Sequence, residues 1–136
     1  MATAGYSGTP LTKKLGLKSG MRASAVRAPD HYRDLLVPEP ESIRWLTVRG
    51  RSLDFVHLFV DRERDLARRL PLEMGRIVPA GMIWVSWPKK ASRVPTDVTE
   101  DVVRRHALPL GLVDIKVCAV DETWSGLKLV IRLENR

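Results

Sequence analysis

Residues 53–60 read LDFVHLFV, an apolar run of β-branched and aromatic side chains interrupted only by Asp54 and His57. A strand with one wet face alternates apolar and polar residues, whereas a strand covered on both faces stays apolar along its length. The stretch is of the second kind and predicts a strand in the middle of a parallel sheet. Such a strand needs a crossover connection to its parallel neighbour.

Downstream, DRERDLARRL at 61–70 sets Leu66, Ala67 and Leu70 on one stripe and Asp65 four positions before Arg69. That spacing predicts a solvated helix with one buried side, broken or kinked at Pro71. A second turn through Met74 and Ile77 completes the crossover. In GMIWVSWPKKAS, 81–92, Met82 to Trp87 alternate as a strand and Pro88 ends it. Thr99 then serves as an N-cap, with Glu100 and Asp101 in the first turn and Val98 and Val103 spaced as a hydrophobic staple. Pro109 and Gly111 close this helix. LVDIKVCAV from Leu112 is a further strand, and the short connection DETWSG returns the chain antiparallel through Leu127, Leu129, Ile131 and Leu133.

Upstream, SIRWLTV at 42–48 suits an edge strand and MRASAV at 21–26 a short first strand. Between them Asp30 can cap a helix from about His31 to Leu36, which Pro38 and Pro40 prevent from continuing. Thr9 and Pro10 start a short helix through Lys14 and Leu15, ended by Gly16. Residues 1 to 8 read as a loose arm. The expected organisation is an N-terminal arm with a short helix, 1–19, and a single α/β domain, 20–136. Its architecture is three-layer and doubly wound: a mostly parallel sheet of about six strands with a C-terminal antiparallel hairpin.

At 136 residues and 44% apolar composition the chain can bury a core of its own. Charges interrupt every apolar run well before the ~18 residues of a membrane span, and the N-terminus lacks a signal-peptide stretch, so the expectation is a soluble, cytoplasmic protein without membrane partners. Cys118 is the single cysteine, which excludes an internal disulfide and a cysteine-based metal site. The net charge of +7 is uneven: residues 1–53 hold nine Lys and Arg against four Asp and Glu, residues 54–98 eight against six, and residues 99–136 six of each. A basic excess of this kind attracts anionic small molecules, acidic proteins or nucleic acid.

The order of elements resembles the Rossmann-like class I methyltransferase family over roughly residues 20 to 134. LDFVHLF is similar to that family's fourth strand, PAGMIWVSW to its fifth, and GLVDIKVCAV with GLKLVIR to its closing hairpin. GYSGTPLTKKLG, WVSWPKKAS and VCAVDETWSGLKLVIR further resemble a family of short, uncharacterised bacterial proteins, which implies no established activity. The methyltransferase resemblance implies a glycine-rich turn after the first strand and an acid after the second, both serving S-adenosylmethionine. Here the first position reads VRAPDHY and the second TVRGRS. The span between Val26 and Asp54 is also too short for two helix-strand units, so one strand of the family pattern is expected to be absent. On those departures no cofactor is expected. The Ser-Pro-aromatic feature of SWPKK is similar to the catalytic loop of amino-methylating enzymes, but that loop follows the strand matched by LDFVHLF, which here runs into VDRER.

His31, His57 and His106 lack metal-ligand spacing, so no metal is expected, and His57 reads as a hydrogen-bonded packed residue. WSG at Ser125 lacks the leading glycine of a nucleophile elbow. No catalytic residue is assigned. Ligands of open α/β sheets bind outside the C-terminal ends of parallel strands. That rule selects Asp30, His31, Ser86, Trp87, Lys89, Lys90, Arg93 and Trp124 as ligand-binding candidates, with Lys13 and Lys14 joining them if the N-terminal arm folds over. The expected function is a non-catalytic binding or regulatory protein that recognises an anion through its lysine rim. The alternatives are weak nucleic-acid binding and a divergent S-adenosylmethionine-dependent methyltransferase.

Overall fold

The computed structural model describes residues 8–136; apart from Gly8, the expected loose arm lies outside the described residues. Six strands form one sheet: β1 (Arg22–Val26), β2 (Arg44–Trp45), β3 (Leu53–Phe59), β4 (Ile77–Pro88), β5 (Leu112–Ala119) and β6 (Trp124–Ile131). Their order is β2-β1-β3-β4-β6-β5. The first four are parallel, and β6 inserts antiparallel between β4 and β5. The expected α/β sheet with a C-terminal hairpin is therefore present, with β3 central.

Both faces of β3 are covered, which is why its sequence lacks alternation. Val56 and Leu58 join Ile83, Val85 and Trp87 of β4 on one face, beneath Leu66 and Leu70 of α3 (Glu63–Met74) and Val103 and Ala107 of α4 (Glu100–Ala107). Phe55 and Phe59 join Trp84 on the other, beneath Leu15 of α1 (Leu11–Leu15) and Tyr32 of α2 (Tyr32–Leu35). Helix α1 is tied down by Trp84, whose Nε1 donates to the Leu15 carbonyl at 2.8 Å. The Thr99 side chain accepts from the Val102 amide, a cap of the kind that contributes about 1 kcal/mol.

Several local expectations need correction. Helix α3 runs through Pro71 to Met74, and β4 starts already at Ile77; Pro71 is exposed and its carbonyl still accepts from Gly75. Asp65 pairs with Arg27 at 3.1 Å and Arg68 at 3.6 Å, not with Arg69. Arg69 turns to Glu73 at 2.5 Å, because a fully buried carboxylate requires partners more than an accessible one does. Helix α2 starts after His31 without any side-chain capping bond, so Asp30 is not its cap.

Between β1 and β3 the chain forms only the short α2 and the two residues of β2. What fills the space is a polar cluster. Arg76, only 4% exposed, donates to Glu73 at 2.5 Å, to Ser24 Oγ at 3.0 Å, and to the Thr47 and Gly50 carbonyls at 2.7 and 3.0 Å. One guanidinium thus joins α3, β1 and the β2–β3 connection, and its donors meet the acceptors that a buried loop would otherwise leave unpaired.

Candidate functional site

The strand order reverses direction between β1 and β3, the topological switch point where ligands of open sheets bind. At the end of β1, Arg27 adopts φ +61°, a left-handed conformation that ordinarily favours glycine. Its guanidinium reaches Asp65 on α3 at 3.1 Å. These two residues, with Val26, Val48, Arg64, Arg68 and Arg69, line an open cavity of about 510 Å³. Four guanidiniums and one carboxylate make its wall strongly positive. The sequence reading passed over this crevice because Arg64, Arg68 and Arg69 read as the solvated side of a helix; the signal was the turn after β1 sharing a charge pair with that helix.

The other strand ends gather the sequence candidates unevenly. His31 and the hairpin after β5, expected on the same rim, are joined directly: His31 Nε2 lies 3.0 Å from Asp121 Oδ2. Asp121 Oδ1 accepts from the Thr123 and Trp124 amides at 2.8 and 2.7 Å, and the Trp124 ring stands edge-on to Phe59 at 5.0 Å. A carboxylate that orients an exposed imidazole leaves the other ring nitrogen available as a proton acceptor. Lys89, Lys90 and Arg93 surround the 3-10 turn Lys90–Ser92 just beyond β4, with the Lys89 amide bound to the Thr123 carbonyl at 2.7 Å. From there the chain straps back over β3: Thr96 Oγ1 donates to the Asp61 carbonyl at 2.7 Å, and Asp97 accepts the first helical amide of α3 from Glu63 at 2.6 Å. Asp30 is exposed beside His31.

Ser86 and Trp87 are not on the rim. Both are buried, and Ser86 Oγ lies 2.8 Å from His57 Nε2, while His57 Nδ1 lies 2.9 Å from the Tyr32 hydroxyl. The imidazole also stacks on Phe59 at 4.3 Å. A neutral imidazole offers one donor and one acceptor, and two hydroxyls satisfy both, so His57 is the packed, bonded residue its sequence context implies. Burial lowers its pKa to about 3 and pushes the Tyr32 phenol above its ordinary value. Gly126, opposite Ser86 in β6, keeps this packing possible, since a Cβ there would stand 3.1 Å from Trp84 and 3.3 Å from Ser86 Oγ. Lys14 lines a separate cavity of about 300 Å³ with Leu11, Leu35, Val37 and Val120, apart from Lys89 and Lys90, and Lys13 is exposed on α1. Among the described residues no group of His, Cys, Asp and Glu is placed to hold a metal, and no helix is long and apolar enough to cross a membrane.

No protein-family model and no curated protein matches the chain. Solved structures do. A methyltransferase from Aquifex aeolicus that depends on S-adenosylmethionine (SAM) aligns with a TM-score of 0.64 at 14% identity, over 89% of this chain and 88% of that one. Magnesium protoporphyrin IX methyltransferase from Synechocystis PCC 6803, with bound SAM, aligns at 0.61 and 10% identity over 89% and 74%. Fibrillarin from Aeropyrum pernix, with natively bound S-adenosyl-L-methionine, aligns at 0.51 and 16% over 90% and 69%. The chain has a minimal methyltransferase-like fold.

These likenesses correct the expectation that no cofactor is used. Two of these similar structures carry bound S-adenosylmethionine, and in this chain the residue after β1 is left-handed although it is an arginine. A missing glycine is therefore not a ground for exclusion.

Proposed function

We propose that this methyltransferase-like protein is a divergent S-adenosylmethionine-dependent methyltransferase whose cofactor site is the crevice between β1 and α3. The observation that carries the reading is the Arg27–Asp65 pair at 3.1 Å on the wall of a cavity of about 510 Å³. That volume lies within the usual range for small-molecule sites. The amino-acid end of the cofactor is a zwitterion, and an arginine beside an aspartate complements both of its charges: the guanidinium takes the carboxylate in bidentate fashion and the carboxylate takes the ammonium. Val26 and Val48 offer apolar wall for the adenosine. When bound, the cofactor supplies an electrophilic methyl group on a sulfonium. His31, oriented by Asp121, is the rim group suited to accept a proton from an acceptor substrate.

A thermal-shift titration tests this. A cofactor present at 100 times its Kd stabilises the native state by about 2.7 kcal/mol, several degrees in Tm. S-adenosylmethionine and S-adenosylhomocysteine are expected to produce that shift with wild type, and the R27A/D65A variant, which removes both charges together, is expected to lose it. An equal shift in the variant would place the cofactor elsewhere. A second reading, a non-catalytic anion-binding protein, is favoured by the excess of guanidiniums over carboxylates in the same wall. Inorganic phosphate and nucleotides in the same titration distinguish it: stabilisation by these and none by S-adenosylmethionine supports the second reading over the first.

A further inference from the structure

The outer lip of the crevice carries more positive charge than a single small ligand can use. Arg64 and Arg68 are four residues apart on α3, on one face of the helix. They line not only the cavity next to Arg27 but also a second open concavity of about 410 Å³, shared with Asp65. The two depressions meet on these three residues. The Arg64 side chain makes no ion pair or hydrogen bond among the described residues, and the Arg68 side chain is 71% exposed, with Asp65 at 3.6 Å as its partner. Arg49, exposed just after Val48 in the chain, extends the same sign beyond the crevice. Among the described residues Asp65 is the only acid lining either depression. Behind it, Arg69 keeps a buried Nε without an acceptor.

We infer that this lip is an interface for the phosphate backbone of double-stranded nucleic acid, held by Arg64, Arg68 and Arg49. Guanidiniums are the groups best matched to phosphate oxygens, and an open groove longer than one site suits a repeating anion. Among the described residues no aromatic lines either depression, which disfavours the base stacking that single strands require and leaves backbone contact as the mode of recognition. The inference rests on the proposed cofactor site only in making the duplex the methyl acceptor. Binding itself needs no cofactor.

The test is fluorescence anisotropy with labelled 20-base-pair DNA and RNA duplexes between 50 and 200 mM KCl, without cofactor. Three phosphate contacts predict a slope of log affinity against log salt of roughly −2.7 for DNA. The R64A/R68A variant, its fold checked by circular dichroism, is expected to flatten that slope by about 1.8 and to bind at least ten-fold more weakly at 100 mM. The K89A/K90A variant is expected to stay within two-fold of wild type. Absence of duplex binding at 50 mM salt overturns the inference. So does an unchanged slope in R64A/R68A, or a loss in K89A/K90A as large as in the arginine variant. Because S-adenosylmethionine is absent, failure here leaves the cofactor reading standing, and failure of the cofactor titration leaves this interface standing.

Discussion

Replacement of Arg76 by alanine is expected to cost the fold about 3–5 kcal/mol, the range for breaking a buried ion pair from one side. That is a large part of the roughly 5–15 kcal/mol that holds a domain together. The reason lies in what the guanidinium leaves behind. Glu73 is fully buried and keeps only Arg69 as a charged partner; the Thr47 and Gly50 carbonyls and the Ser24 hydroxyl each lose a donor. The Glu73→Leu/Arg76→Met double variant removes both charges and keeps apolar volume, so it is expected to be less damaging than Arg76→Ala, although the loop carbonyls still lose their donor. Urea unfolding of the three proteins checks this. If Arg76→Ala cost less than 1 kcal/mol, the idea that this cluster holds the β2–β3 connection to β1 and α3 would be wrong.

His57 gives the second large effect, and it depends on pH. Its folded pKa of about 3 lies below the roughly 6.5 of an unfolded chain, so the unfolded state binds the proton first as acid is added. The stability contributed by the neutral imidazole is complete above pH 6.5 and is lost as pH falls toward 3, at up to about 1.4 kcal/mol per unit. From pH 7 to pH 5 the loss is about 2 kcal/mol on the same basis. His57→Phe leaves the Tyr32 and Ser86 hydroxyls without their shared partner and is expected to be destabilised at pH 7 by about 1–3 kcal/mol for each group left unsatisfied. The variant is expected to lack the 2 kcal/mol acid loss. Denaturation midpoints at pH 7 and 5 for both proteins settle the matter, and equal pH dependence in the two would assign the acid sensitivity to another group.

These two clusters also mark where the sequence stops being legible. The central strand is readable because burial on both faces leaves a continuous apolar run, and the Thr99 cap because its determinants lie within one turn. His57 could be assigned a bonded, packed role, since a polar residue in such a strand must be satisfied, but its partners lie 25 and 29 residues away on other elements. Arg76 was invisible for the same reason: its acceptors include backbone carbonyls of residues 26 and 29 positions distant, and a carbonyl leaves no mark in a residue pattern. Asp65 and Arg69 show how a local rule yields to burial. The helical spacing allows their pairing, yet the buried Glu73 claims Arg69 and Arg27 claims Asp65.

The candidate site divides in the same way. The crevice rule brought His31 and the Asp121 hairpin to one rim, and the structure bonds them. It also placed Ser86 and Trp87 there, because the sequence does not show that neighbours cover both faces of β4 to its end, His57 against Ser86 on one and the core around Trp87 on the other. The arginine wall was missed because the side facing a shallow crevice looks, by composition, like a side facing water.

The central claim is that the crevice between β1 and α3 is a cofactor site. Its most direct test is a titration of isotope-labelled protein with S-adenosylmethionine, followed by amide chemical shifts. Saturable perturbations are expected at Val26 through His31, at Thr47 and Val48, and at Asp61 through Arg69. Saturable perturbations confined to Lys89 through Arg93, or none up to millimolar cofactor, would contradict it.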